Sequence, residues 1–220
     1  MKIFNSLTGK KETFRSKINE EVSIYICGLT PYDDVHIGHA RTFVNFDVIV
    51  KFFKFLGFKV RYIRNITDVD DKIINRAKEE GIPALDLSKK YIKEMHDDFS
   101  SLGIESPDVE PKVSDHIDEI ISMIQSLEEK GYAYRKKESD VFFDVQKFKE
   151  YGKLSNRSLE QLTAAERTIV DLNKKHKADF VLWKVDTDGI TWPSPWGKGR
   201  PGWHIAVSYT HLRAHETTLD

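Results

Sequence analysis

The order of elements near the N-terminus constrains the fold more than any other feature of the sequence. Residues 22–27 (VSIYIC) are β-branched and aromatic and stop at Gly28, which is typical of a buried strand. Residues 40–55 carry dense apolar side chains that predict a mostly buried helix, which Gly57 ends. Residues 59–66 (KVRYIRNI) predict a second strand. Because a strand–helix–strand crossover joins parallel strands, we expect an α/β fold with a parallel sheet.

Helices follow this first unit. Thr67 or Asp68 is placed to cap a helix over residues 71–78, which Gly81 ends. Residues 85–102 repeat apolar side chains at helical spacing and predict another helix.

The pattern changes after residue 113. Ser114 opens a helix that ends before Gly131, and residues 132–145 predict a β-hairpin around a polar turn. Residues 151–177 are polar loop and helix material, and residues 180–185 predict a strand. We therefore expect an α+β insertion over residues 114–177.

Composition excludes several classes of protein. The 220 residues are 40% hydrophobic, which is too apolar for a disordered chain. A single cysteine excludes a disulfide scaffold and fits a reducing cytoplasm. No apolar run approaches the ~20 residues of a membrane span, and the N-terminus has no secretory signal. The net charge of the chain is -1, so any binding of nucleic acid must rely on local basic patches.

The segment His36-Ile37-Gly38-His39 carries the main chemical signal, because it follows the first strand and opens the long helix. Unpaired N–H groups at a helix start favour phosphate, and ligands of open α/β sheets bind at strand ends. Two imidazoles there could hold triphosphate oxygens, and Gly38 lets a base or ribose approach the backbone. The alternatives are a surface cap and an adventitious metal pair.

Four blocks of the sequence together resemble the cysteinyl-tRNA synthetases, a family of class I aminoacyl-tRNA synthetases with the H-I-G-H signature. Besides HIGH itself they are CGLTPYD (27–33), GHARTFV (38–44), RNITDVDDKI (64–73) and PSPWGKGRPGWHI (193–205). The resemblance covers residues 1 to about 205. It implies a Rossmann-like parallel sheet interrupted by an inserted connective segment.

The resemblance also implies a reaction: ATP, with Mg²⁺, activates cysteine to cysteinyl-adenylate, and the cysteinyl group then passes to tRNA(Cys). It implies that His36 and His39 are catalytic, and that Cys27 binds Zn²⁺, which would select a cysteine thiolate over a serine hydroxyl. The alternative for Cys27 is a small buried side chain at a strand end. The implied cysteine-binding residues are Gly28, Thr67 and Trp203, and the implied ATP-binding residues are Thr30, Tyr32, His36, Gly38 and His39.

The division of the chain follows from this resemblance. We expect the first half of a nucleotide-binding catalytic domain in residues 1–113, the connective segment in 114–177 and a return to the catalytic domain in 178–205. Residues 206–220 depart from the family and are expected to be foreign or truncated sequence. The other zinc ligands are missing from the chain, so we expect an N-terminal fragment that is inactive alone, monomeric, cytoplasmic and free of membranes.

Two other functions fit the same blocks. One is a ligase that joins cysteine to an amino-sugar acceptor, and the other is a non-catalytic, truncated nucleotide-binding module. Two further clusters could be mistaken for metal sites. Asp68, Asp70 and Asp71 suit the first turn of a helix rather than a magnesium site. His211 and His215 resemble a metal pair without further ligands.

Overall fold

The computed structural model describes residues 1–16, 20–137, 139–161 and 172–215, and for 213–215 the backbone alone. The chain begins with a small antiparallel hairpin of β1 (Lys2–Asn5) and β2 (Lys10–Thr13). Next come β3 (Glu21–Ile26), α1 (Ile37–Phe55) and β4 (Lys59–Arg64). β3 and β4 pair in parallel, which confirms the predicted strand–helix–strand unit.

Helix α1 is less buried than its sequence predicted. One side packs on the sheet, where Phe43 is 2% exposed and Val50 0%, and Gly57, at φ +87°, ends the helix. On the other side Val48 is 60% exposed and Phe55 82%. The prediction of a mostly buried helix is therefore wrong, because the described elements cover α1 on one side and leave an apolar stripe on the other.

Helix α2 (Asp71–Glu80) begins at a cap other than the two predicted. The Asp70 side chain accepts the Lys72 backbone N–H at 2.9 Å, so Asp70 is the cap rather than Thr67 or Asp68. Asp68 instead accepts the Ser114 backbone N–H at 3.0 Å, and this contact turns it away from the helix. Gly81 ends α2 at φ +69° as predicted, and α3 (Ala84–Ser101) follows.

The second half of the described chain forms an antiparallel sheet. After a short 3₁₀ turn (Val113–His116), α4 (Ile117–Glu129) leads into four strands in the order β5-β6-β7-β8. The last helix, α5 (Trp203–His215), packs against β7 and β3. The strand bounds are β5 (Ala133–Arg135), β6 (Val141–Phe143), β7 (Phe180–Val185) and β8 (Gly199–Pro201).

The return strand β7 pairs with β6 of the predicted hairpin rather than with β3 or β4. Residues 178–205 therefore share a sheet with the connective segment, and the four domain limits stay a prediction. Much of the predicted loop-and-helix stretch, residues 162–171, lies outside the described residues.

Two hydrophobic clusters support the two sheets. One lies between the parallel strands, α1 and α3, and includes Phe43 and Met95. The other lies under the antiparallel sheet, where Val69 joins residues from α4, β7 and α5. Ala206 and Tyr209 of α5 are buried in that cluster, so part of the segment set apart as a tail belongs to the core. Among the described residues, no helix is both long and apolar enough to cross a membrane.

Replacing a fully buried side chain of α4 should destabilise the antiparallel half. Ile120 is 0% exposed, so Ile120→Ala should lower the free energy of unfolding by about 2–5 kcal/mol through lost contacts and a cavity. Chemical denaturation measures this loss, with the neighbouring, partly buried Ile121→Ala as control. Equal losses for both variants would contradict the packing described for α4.

Candidate active site

The two loops that follow the carboxyl ends of the parallel strands β3 and β4 contact each other. The Gly28 N–H donates to Asn65 Oδ1 at 2.7 Å, and the Thr67 N–H donates to the Leu29 carbonyl at 3.0 Å. A Cβ on Gly28 would lie 1.6 Å from the Asn65 carbonyl oxygen, so only glycine fits there. The two loops thus form one rigid floor next to the start of α1.

His36 and His39 cap helix α1 together. His36 Nδ1 accepts the Gly38 N–H at 3.1 Å, and His39 Nδ1 accepts the His36 N–H at 3.4 Å. The rings stack with centroids 3.6 Å apart. Because each neutral ring accepts at Nδ1, its proton sits on Nε2. The cap therefore leaves both Nε2–H groups as donors outside the helix.

Gly38 is needed for this arrangement, because a Cβ there would lie 2.9 Å from His36 Cε1. Burial lowers the pKa of His39, and the neighbouring His36 ring lowers it further. His39 is therefore neutral at pH 7, as its place in the cap requires.

A crevice of about 70 Å³ opens beside the two imidazoles. It is lined by Thr30, Tyr32, His36 and His39, four of the five predicted nucleotide-binding residues. Gly38, the fifth, does not line the crevice but lies next to the His36 ring. Ligand pockets usually measure about 300–1,000 Å³, so this crevice accommodates part of a nucleotide rather than all of it.

Further residues line the crevice without having been predicted, among them Tyr91 and Met95 of α3, which form one wall. Lys72 does not line the crevice, but its Nζ lies 5.2 Å from the ring centroid of Tyr32, which does. The spacing of Tyr91 and Met95 predicted the helix but not which loop it faces. Lys72 lies in the motif of residues 64–73, and this motif was the sequence signal that could have pointed to it.

The predicted cysteine-binding residues lie outside this crevice. Gly28 and Thr67 belong to the loop floor, where the buried Thr67 hydroxyl accepts the Asn65 side-chain amide at 3.3 Å. Trp203 starts α5, is 49% exposed and meets His204 edge to face. Thr67 and Trp203 thus come from different sheets.

Cys27 lies at the surface just after β3 and does not line the crevice of the imidazoles. Partial burial of the sulfur raises the pKa of the thiol, so the protonated form dominates at neutral pH. The described residues contain no group of three or more His, Cys, Asp or Glu side chains that could hold a metal ion. They do not fit a zinc site, and no chemical step is derived through zinc.

The two histidines of the last helix have no role in this site. His211 packs on the Tyr25 ring with centroids 4.6 Å apart, and the side chain of His215 lies outside the described residues.

A parallel strand–helix–strand unit with two imidazoles at the helix start is typical of an α/β domain of the Rossmann type. Residues 13–220 match the family model described as the tRNA synthetases class I (C) catalytic domain. The chain therefore belongs to the class I tRNA synthetase catalytic domains. The match includes residues 206–220, whose assignment as foreign sequence stays a prediction.

Two cysteine–tRNA ligases are similar to this chain over nearly its whole length. The chain is 50% identical over 219 residues to the cysteine–tRNA ligase of Idiomarina loihiensis, covering 99% of this chain and 48% of the relative. It is 53% identical over 219 residues to that of Pasteurella multocida, covering 98% of this chain and 48% of the relative. The chain thus spans about half the length of these relatives.

A solved structure supports the fold. Mycobacterium tuberculosis methionyl-tRNA synthetase, in complex with methionyl-adenylate, matches with a TM-score of 0.64 and 15% sequence identity. The match covers 89% of this chain and 47% of that chain. The fold is therefore that of a class I synthetase catalytic domain, with a parallel sheet and helices.

A side chain at residue 28 should separate the two loops and destabilise the protein. Gly28→Ala places a methyl group against the Asn65 carbonyl and should lower the free energy of unfolding by about 1–3 kcal/mol. Ser23→Ala, at an exposed position of β3, should stay within about 0.5 kcal/mol of the parent. Urea denaturation compares the two, and a Gly28→Ala variant as stable as the parent would contradict the observed loop contact.

Acid should loosen the start of α1. The pKa of His39 lies below its ordinary value of 6.5, so the unfolded chain binds a proton more readily than the folded chain. The stabilisation is full above pH 6.5 and is lost as the pH falls through the lower pKa of the folded protein. Denaturation at pH 7.5 and pH 5.5 should show a larger loss in the parent than in His39→Gln. The same loss in both would refute the role of His39.

Proposed function

We propose that this chain forms the ATP- and cysteine-binding part of a cysteine–tRNA ligase. The observation that carries the proposal is the stacked pair His36 and His39, whose Nε2–H groups are free to donate beside the crevice at the strand ends. The relatives named above, at about half their length, support cysteine as the amino acid.

The first reaction is adenylate formation. A carboxylate oxygen of cysteine attacks the α-phosphorus of ATP, the bond from that phosphorus to the bridging oxygen breaks, and pyrophosphate leaves. Negative charge grows on the phosphate oxygens in the transition state. Neutral imidazoles that donate through Nε2–H stabilise this charge without needing a proton to be taken up first. Mg²⁺, which accompanies ATP, supplies further charge neutralisation on the phosphates.

Other residues of the crevice orient the nucleotide. Tyr32 and Thr30 line the space next to the imidazoles, and Lys72 adds a positive charge over the Tyr32 ring. Gly38 leaves the room that the His36 ring needs at the helix start, and so it keeps that imidazole in place beside the nucleotide. Binding energy from these contacts holds the α-phosphorus in reach of the cysteine carboxylate.

The second reaction passes the cysteinyl group from the adenylate to a terminal hydroxyl of tRNA(Cys), and AMP leaves. Gly28, Thr67 and Trp203 contact the cysteine in this proposal. The family resemblance implies Cys27 as a Zn²⁺ ligand, but the described residues contain no group of three or more His, Cys, Asp or Glu side chains that could hold the metal. The proposed protein is a monomer and acts in the cytoplasm.

Binding of ATP to this chain tests the proposal. His39→Asn keeps a side-chain acceptor for the His36 N–H but removes the Nε2–H donor. Because a hydrogen bond to a charged group contributes about 1.5–3 kcal/mol, ATP binding should weaken by about tenfold to 100-fold. Isothermal titration calorimetry with ATP measures the change.

The matched control is His96→Asn on α3, a half-exposed histidine that contacts Glu110 rather than the crevice. It should bind ATP like the parent. If the parent chain does not bind ATP, or if both variants weaken binding equally, the proposed nucleotide site is wrong.

A further inference from the structure

A small hydrogen-bonded network at the end of α2 connects to the wall of the crevice beside the imidazoles. Its centre is Glu80, the last residue of α2, whose carboxylate accepts the Tyr91 hydroxyl at 3.3 Å. Tyr91 lines the crevice, whereas Glu80 does not. We propose that Glu80 is a positioning residue, which holds the Tyr91 ring as the wall that contacts the nucleoside of ATP. The inference rests on the proposed function and adds a residue to which no role has yet been assigned.

The Tyr91 hydroxyl is engaged outside the crevice. Tyr91 is 5% exposed and packs in a cluster with side chains of α2 and α3, against which Tyr32 of the crevice also packs. Because the hydroxyl is bonded to Glu80, the ring is the part of Tyr91 that is left to face the crevice. A buried tyrosine usually needs such a partner for its hydroxyl. The contact with Glu80 therefore decides how the ring stands in the wall.

Two cations hold the Glu80 carboxylate. Arg76, one turn earlier on α2, donates through Nε to Glu80 Oε1 at 2.8 Å, and Lys90 Nζ of α3 lies 3.7 Å from Glu80 Oε2. Lys90 Nζ also lies 4.6 Å from the centroid of the Tyr91 ring. Both helices thus contribute to the network, which fixes the carboxylate between two cations and the tyrosine hydroxyl.

Glu80 is unfavourable in its position if the helix alone is considered. The C-terminal end of a helix carries a partial negative charge, which disfavours a carboxylate there. Glu79 shares this disadvantage, but its side chain is 68% exposed, whereas that of Glu80 is 26% exposed. Burying a charge is costly unless the charge is paired. The contacts with Tyr91 and the two cations offset these costs, and residues that oppose a local preference are expected at functional sites.

The chemistry of the crevice divides between the histidines and this wall. His36 and His39 present Nε2–H donors, which suit phosphate oxygens. The Tyr91 ring and the Met95 thioether offer no strong donor to an anion. A ring and a thioether instead suit the flat, less polar surface of a nucleoside. The wall is therefore the part of the crevice that contacts the nucleoside, and the histidines are the part that contacts the phosphates.

The test compares the binding of ATP with that of inorganic tripolyphosphate, both with Mg²⁺, by isothermal titration calorimetry. Glu80→Met keeps the length of the side chain and removes the acceptor, and Tyr91→Phe removes only the donor. Each should weaken ATP binding by about threefold to tenfold, which corresponds to the loss of one hydrogen bond. Each should leave tripolyphosphate binding within about twofold, because tripolyphosphate has no nucleoside.

Two further variants separate positioning from a general loss of structure. Glu80→Gln keeps an acceptor for the Tyr91 hydroxyl and should recover part of the lost affinity. The double variant with Glu80→Met and Tyr91→Phe should lose no more affinity for ATP than either single variant, because both changes break the same bond. Tyr91→Phe keeps the ring and serves if Glu80→Met does not fold.

Glu79→Met is the matched control, because Glu79 also lies in the last turn of α2 but pairs with Arg76 at 3.6 Å, and not with Tyr91, among the contacts described. It should change neither affinity.

The possible outcomes separate this inference from the proposed function. ATP binding by Glu80→Met and Tyr91→Phe that equals that of the parent would overturn the positioning role and leave the proposed function intact. Parallel losses of ATP and tripolyphosphate binding, or additive losses in the double variant, would also overturn it. A parent chain that binds ATP but not tripolyphosphate would contradict the division of the crevice and overturn the inference. A parent chain that does not bind ATP would refute the proposed function itself.

Discussion

The close approach of two backbone segments at the ends of β3 and β4 is the constraint on which the site depends. Gly28 touches Asn65 directly, and Leu29 accepts a hydrogen bond from Thr67. These contacts fix where the chain turns before α1, and so they fix where the imidazoles of that helix can stand. A side chain at residue 28 would separate the loops and open the floor between them. The chemistry of the crevice thus rests on a backbone contact rather than on the reactive groups.

The histidine pair illustrates how one interaction serves structure and chemistry together. Each ring satisfies a backbone N–H at the start of α1, a place where helices otherwise leave donors unpaired. Using Nδ1 for the cap commits the proton to Nε2, which faces outward as a donor. Partial burial, and after it the neighbouring His36 ring, lower the pKa of His39 and keep this residue neutral at pH 7. The helix cap therefore selects the tautomer that the proposed phosphate recognition needs.

A structural feature could be predicted from the sequence where its pattern lies within a few neighbouring residues, and was missed where it depends on distant ones. The first strand, the long helix and the second strand each carry a pattern within a few residues, and their parallel pairing follows from chain connectivity. The cap of α2 was missed because Asp68 and Asp70 are equally suitable by residue type. The contact between Asp68 and Ser114, which bridges distant residues, decides between them. The exposure of α1 was missed for a related reason: apolar spacing shows which residues avoid water, but not whether a neighbour covers them.

The sequence by itself determined the parallel unit, the imidazole pair and the family, because strand and helix periodicity and contiguous motifs are properties of neighbouring residues. Only the tertiary structure decided that Cys27 stands apart from the crevice of the imidazoles and that Tyr91 and Met95 form its wall. It alone placed Asp71 between the like charges of Lys184 and Arg200. These relations join residues far apart in the chain, and they depend on how two sheets pack, which no local pattern encodes.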